Sequence, residues 1–78
     1  MDVSDKLLQS MSLHYRAQPL RGDERVRLWR EAYALRKQAH EEDPDHLSPA
    51  WAAEQEKTPR GYDTHMELMT FYREKLGE

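Results

Sequence analysis

The side chains with the clearest metal-binding chemistry lie in the segment from His40 to His46, which reads His-Glu-Glu-Asp-Pro-Asp-His. Its two imidazoles and four carboxylates would bind a divalent cation if the chain folded back at Pro44. The spacing matches no familiar zinc pattern, and a calcium loop would need a glycine at its sharp turn. His40 and His46 would not share a face even on a continuous helix. We therefore interpret this segment as a solvated loop, and we expect neither a metal ion nor another cofactor.

The remaining polar residues give little indication of a catalytic site. The other two histidines, His14 and His65, fall on or near apolar helical arcs, where an imidazole is more often a hydrogen-bonded core group. The four serines stand in no nucleophile-elbow motif, and there is no glycine-rich phosphate loop. A chain of 78 residues also has little room for a substrate cleft of several hundred Å³. We expect a protein that is not an enzyme.

Basic side chains concentrate in the first half of the chain and acidic ones in the second. Residues 1–40 carry eight basic and five acidic side chains, and residues 41–78 carry four and ten. A basic group in the second predicted helix could hold nucleic-acid phosphates through Arg25, Arg27, Arg30 and Lys37. The same side chains could equally form a solvated helix face. The isoelectric point near 5.8 is unlike that of most nucleic-acid-binding domains.

Two further interpretations concern nucleic acid. A helix-turn-helix within 49–76 is disfavoured, because its second helix would begin between Asp63 and Glu67, whose carboxylates repel phosphates. The acidic half could instead mimic nucleic acid and occupy a basic groove on a target, with Glu41, Glu42, Asp43 and Asp45 as the charges involved.

The elements that position all these side chains must be helices. The chain has no isoleucine, two valines and three threonines, which are too few β-branched residues for a sheet. All four prolines and all three glycines lie between or beyond the periodic segments, where they mark boundaries. We predict an all-α fold, a small bundle of three to four helices in one domain spanning 1–78. The predicted helices cover about residues 3–17, 23–41, 49–57 and 64–76.

The apolar patterns predict how these helices pack. The second helix has a wide apolar arc, so we place it at the centre with the first and fourth helices on its two flanks. The first helix is predicted to bury an arc that includes Leu8, Met11 and Tyr15, and the fourth a stripe that begins at Met66. Leu13 and Phe71 fall outside these stripes, so each is either covered by another segment or exposed.

Composition also bears on the compartment. No stretch approaches the ~20 consecutive apolar residues of a membrane span, and no signal peptide is visible at the N-terminus. The absence of cysteine excludes disulfides and thiolate metal sites. We expect a cytoplasmic protein with no membrane contact.

These observations favour a small regulatory or adaptor protein that binds a larger protein. The surface predicted to bind the partner contains Leu13, Arg27, Arg30, Lys37 and Phe71. Nucleic-acid binding through the second helix, nucleic-acid mimicry by the acidic half, and association into a homodimer stay open as alternatives.

Overall fold

The helical prediction is confirmed by a computed structural model that describes residues 2–78. The described chain contains four α-helices and no strand: α1 (Val3–Ala17), α2 (Gly22–Glu42), α3 (Pro49–Gln55) and α4 (Thr64–Leu76). The bounds of α1 and α4 are those predicted, α2 is one residue longer at each end, and α3 ends two residues earlier. None of the four helices in this range is long and apolar enough to cross a membrane.

Side-chain caps explain where three of the helices begin. The carboxylate of Asp2 accepts a hydrogen bond from the backbone N–H of Asp5 at the start of α1, and Asp63 does the same for Met66 in α4. Ser48 caps α3. Such caps satisfy backbone donors that have no partner inside the helix. At its other end α4 stops at Gly77, whose φ of 76° suits a residue without a Cβ.

The main core lies where α1 and α4 pack on the two sides of α2, as the apolar arcs predict. Its buried members come from all three helices: Leu13, Ala17, Leu28, Ala32, Tyr33, Leu68, Met69 and Tyr72. A smaller cluster joins the N-terminal half of α1 to the end of α2 and to α3 through Leu7, Ala39 and Trp51. The short helix α3 therefore covers one end of the bundle, beside α1.

The buried face of α1 differs from the predicted one. Ser10, Leu13 and Ala17 face the core, whereas Leu8 and Tyr15 are exposed. The reason is a hydrogen bond that the apolar pattern does not encode: the hydroxyl of Ser10 donates to the carbonyl oxygen of Ala32, 2.7 Å away. The bonded hydroxyl lets a small polar residue lie between the two helices, while Leu7 of the predicted arc stays buried and Leu8 and Tyr15 face outward.

The start of α4 shows a similar difference. Met66 is exposed, and the buried residues of the first turn are Thr64 and His65. The rest of the predicted stripe does face the core, with Leu68, Met69 and Tyr72 buried. The fourth helix thus presents a histidine, and not a methionine, to the end of the bundle where α2 terminates.

Candidate functional site

Three of the four histidines meet at one end of the bundle. His40 lies in the last turn of α2, His46 in the connection to α3, and His65 in the first turn of α4. One ring nitrogen from each lies within 4.8 Å of the other two, and His40 Nδ1 is 2.8 Å from His46 Nε2. This is the histidine cluster. His40 and His46 do not share a helix, because α2 ends before His46, and it is the reversal of the chain at Pro44 that brings the two rings together.

The reversal is a turn with Pro44 at its second position. The backbone N–H of His46 donates to the carbonyl oxygen of Asp43, 3.0 Å away, and proline favours this position because its φ is already set. His46 itself has a φ of 54°, a left-handed conformation that is uncommon outside glycine. Its ring stacks on the indole of Trp51 at 3.7 Å between centroids and 5° between planes. The stack and the turn together fix the imidazole beside His40.

Asp43 holds this connection together. Its carboxylate accepts hydrogen bonds from the backbone N–H groups of Leu47 and Ser48 and from the indole N–H of Trp51, at 2.9, 2.9 and 2.8 Å. The bonds from Ser48 and then Leu47 keep the pKa of Asp43 below its usual range. The prediction of a uniformly solvated acidic loop is therefore wrong at this residue.

The other acids of the segment divide into two kinds. Glu42 forms an ion pair with Lys6 of α1, so its charge at the end of α2 meets a cation within the chain. Glu41 and Asp45 are exposed, as the solvated-loop interpretation expects. Only these two of the four acids face solvent fully without a bond described to the rest of the protein.

Burial governs the protonation of the histidine cluster. His65 is 8% exposed, and its Nδ1 has no hydrogen-bond partner among the described residues. Desolvation, followed by the nearby charge of Arg36, lowers the pKa of His65 to about 4. Desolvation and the neighbouring His40 also lower the pKa of His46. At neutral pH both rings are uncharged, which is the form that binds metal ions.

A buried ion pair lies under the cluster. The side chain of Arg36 is completely buried and bonds Glu54 through two parallel contacts, Nη1 to Oε1 at 2.9 Å and Nη2 to Oε2 at 2.6 Å. The pair links α2 to α3. Sequence reasoning placed no special weight on Arg36, although a signal existed: the residue lies four positions after Ala32 and three before Ala39, on the buried stripe.

Leu13 and Phe71, the two apolar residues predicted to contact a partner, both pack against other parts of the chain. Leu13 is 5% exposed within the main core. Phe71 is half-buried, packs edge-to-face against Trp29 with 5.2 Å between centroids, and lies under the ammonium group of Lys75. Leu13 is therefore a core residue and not a contact residue. Phe71 makes most of its contacts with residues of the same chain.

The predicted basic residues of α2 have different surroundings. Arg25 donates hydrogen bonds to the carbonyl oxygens of Ala17 and Gln18, so it caps the end of α1. Arg27, Arg30 and Lys37 are exposed, and the ammonium group of Lys37 lies over the ring of Tyr33. Three of the four cations thus remain accessible on one helix.

A second candidate site is the apolar groove between α1 and α3. Its volume is about 210 Å³. The α1 wall consists of the residues that the first helix turns outward, with Leu8 64% and Tyr15 58% exposed. The other lining residues include Ala50, Ala53 and Lys57. Sequence reasoning missed this groove because it assigned the arc of Leu8 and Tyr15 to the core.

Two charged residues line the groove, and only one of them forms an ion pair among the described residues. Glu54, which lines the groove, is already bonded to Arg36. Lys57 forms no ion pair within the described chain, 2–78. The groove is thus mostly apolar along α1, and Lys57 at its edge forms no ion pair with the residues described.

Comparisons with protein-family models, with curated proteins and with solved structures give no match for this chain.

Proposed function

We propose that this chain is a non-catalytic binding protein that holds an amphipathic helix of a larger protein in the groove between α1 and α3. The observation that carries the proposal is the outward apolar arc of α1, where Leu8 and Tyr15 are exposed beside half-buried Met11. Tyrosine and methionine are enriched at protein interfaces, and tyrosine is among the residues that contribute most to binding.

The dimensions of the groove suit a helix. Its α1 wall runs from Ser4 to Tyr15, about 16 Å at a rise of 1.5 Å per residue, which is about three helical turns. Leu8, Met11 and Tyr15 follow one another at spacings of three and four residues, the pattern by which helices present anchors to each other. The small side chains of Ala50 and Ala53 on the opposite wall allow a partner helix to approach closely.

The positive charge of Lys57 indicates which side chains the partner helix should carry. Because Lys57 lacks an ion-pairing partner in the described chain, an acidic side chain flanking the partner's apolar stripe would complement it. We therefore infer a partner helix with apolar residues at every third or fourth position and with Asp or Glu beside them. The regulatory or adaptor role follows from this binding alone and needs no catalytic group.

The test uses displayed peptides of defined chemistry. A library of amphipathic helical peptides, apolar on one face and varied on the other, is selected against the chain. We expect the selected peptides to carry acids beside the apolar stripe and to bind at least about tenfold more weakly to Leu8→Glu, since a buried charge without a partner is costly. Leu47→Glu is the matched control, because Leu47 is 80% exposed and does not line the groove.

Three outcomes would overturn the proposal. One is selected peptides that bind Leu8→Glu as well as they bind the parent. Another is chemical-shift changes on binding that avoid Leu8, Met11 and Tyr15. A third is a sedimentation mass that rises above 9.3 kDa with concentration and returns to it in Leu8→Glu, which would assign the groove to a second copy of the chain.

A further inference from the structure

We infer that the histidine cluster of His40, His46 and His65 is a binding site for one divalent transition-metal ion of the zinc class. The three imidazoles come from three separate parts of the chain: the end of α2, the connection to α3 and the start of α4. Among the described residues they are the group of potential ligands that lies close enough together to share an ion.

The distances suit a tetrahedral ion after small ring movements. Zinc–nitrogen bonds of about 2.0–2.1 Å separate two ligand nitrogens of a tetrahedral ion by about 3.3 Å. The His40–His46 separation of 2.8 Å is shorter than this, and the 4.8 Å that bounds the whole set is longer. Ring shifts of about 1 Å, well within side-chain rotation, therefore bring all three nitrogens to bonding distance. The hydrogen bond between His40 and His46 is exchanged for two bonds to the metal.

A second observation points independently to a ligand. His65 is more than nine-tenths buried, and its Nδ1 has no hydrogen-bond partner among residues 2–78. Buried polar groups are nearly always satisfied, and an unpartnered nitrogen calls for a partner from outside the chain or for a ring shift that supplies one. When one nitrogen of His65 binds the ion, the ring is held in a fixed orientation. Its other nitrogen can then form a hydrogen bond.

The electrostatic surroundings are compatible with a cation. Arg36 is the nearby positive charge, but the carboxylate of Glu54 bonds it through two contacts and offsets it. Desolvation and the neighbouring His40 oppose a positive charge on His46, and the carboxylates of Asp43 and Asp63 offset part of that effect.

The donor set selects the kind of metal. Three nitrogen ligands suit Zn²⁺, Co²⁺, Ni²⁺ or Cu²⁺, and not Mg²⁺ or Ca²⁺, which prefer oxygen. Three protein ligands leave the fourth position of a tetrahedral ion for solvent or for an outside ligand. An ion here joins α2 to α4 and secures the connection that carries α3.

The experiment is a metal titration of the chain without an affinity tag, after dialysis against a chelator. We expect calorimetry to show one equivalent of Zn²⁺ bound per chain, and Co²⁺ to develop the strong visible absorption of a tetrahedral site. His46→Gln and His65→Gln should each weaken Zn²⁺ binding by at least about tenfold, since even changes behind the ligands cost 10–100-fold. His14→Gln is the matched control, because His14 is the one histidine outside the cluster.

Absence of saturable Zn²⁺ and Co²⁺ binding by the parent chain would overturn the inference, as would equal losses in His14→Gln and His46→Gln. If His65→Gln fails to fold by circular dichroism, the ring resonances of the parent decide: Zn²⁺ must shift those of His40, His46 and His65 and leave those of His14 unchanged. The inference is separate from the groove proposal, and Leu8→Glu should bind Zn²⁺ as tightly as the parent does.

Discussion

Arg36 and Glu54 form the most deeply buried charge pair described in the structure, and the consequence of breaking it can be predicted. Glu54→Gln removes the negative charge but leaves the guanidinium of Arg36 completely buried. Removing one member of a buried pair costs about 3–5 kcal/mol, because the remaining charge is desolvated without compensation. We expect the free energy of unfolding to fall by about this amount, measured by urea denaturation.

The control replaces both members of the pair. Arg36→Met combined with Glu54→Leu removes the two charges together and keeps similar volume, and such replacements are often neutral or stabilising. The double variant should therefore be clearly more stable than Glu54→Gln. If the two variants lose the same stability, the pair matters through its shape and not through its charge.

His14 predicts a dependence of stability on pH. Its Nδ1 lies 2.9 Å from the hydroxyl of Tyr72, and burial, followed by the charge of Arg36 on α2, lowers the pKa of His14 below 6.5. Burial raises the pKa of Tyr72, so its hydroxyl stays protonated beside His14. The folded chain thus binds fewer protons than the unfolded chain below about pH 6.5. The contribution of His14 to stability is complete above that pH and is lost as the pH falls.

The measurement compares the parent with His14→Gln by urea denaturation near pH 7.5 and near pH 5, with a chelator present. The other histidines contribute equally to both proteins, so their effects cancel in the difference. We expect the stability advantage of the parent to shrink at the lower pH. An advantage that stays constant would show that His14 has the same affinity for protons in the folded and unfolded chains, and one that grows would show that the folded chain binds this proton more tightly.

At the scale of the helices, the sequence predicts bounds better than faces. The bounds follow from proline, glycine and capping residues, which act locally, so α1 and α4 agree with the prediction at both ends. The faces depend on polar residues that become buried by bonding to a neighbouring helix. Ser10 bonds Ala32, and Arg36 bonds Glu54, and neither bond can be derived from hydropathy.

The close approach of α1 and α2 at Ser10 can be tested directly. Ser10 and Ala32 are both fully buried, and the hydroxyl of Ser10 donates across the interface. Ser10→Ala loses one hydrogen bond, at a cost of about 1 kcal/mol. Ser10→Val also adds volume to a packed interface, and overpacking costs a further 1–3 kcal/mol or so. We expect urea denaturation to rank the parent first, Ser10→Ala second and Ser10→Val last. A valine variant as stable as the alanine variant would mean that the helices have room to separate.

At the scale of the whole molecule, the histidine cluster joins two residues of one short segment, His40 and His46, to His65, which lies much later in the sequence. His40 and His65 are separated by the entire connection that contains α3, and their meeting depends on the turn at Pro44 and on the burial of the first turn of α4. Spacing patterns detect ligands that lie in one local segment, so they bring out His40 and His46 but not His65. The sequence places His65 on or near an apolar arc of α4, where it is indeed buried, but only the fold shows that this part of α4 meets the end of α2.

This architecture predicts an order of local unfolding. The segment 43–63 contains only the two-turn helix α3, which is too short to be stable alone. A small set of contacts secures it to the bundle, among them the packing of Trp51 on Leu7 and Ala39, the contact of His46 with His40, and the bond of Glu54 to Arg36. Regions with few buried contacts open at a lower free energy than the global core.

Hydrogen exchange followed by mass spectrometry measures this order. In the presence of a chelator, peptides from 43–63 should exchange faster than those from the middle of α1 and α2, whose amides open only with the core. Trp51→Ala should speed exchange in 43–63 further and leave the middle of α2 nearly unchanged, because it removes the side chain that anchors the segment while the Leu13 and Tyr72 core stays intact. Exchange that accelerates equally in all four helices would show that the chain unfolds as one cooperative unit. In that case the wall of the groove formed by α3 would be as permanent as the core itself, and a partner helix would meet a preformed surface.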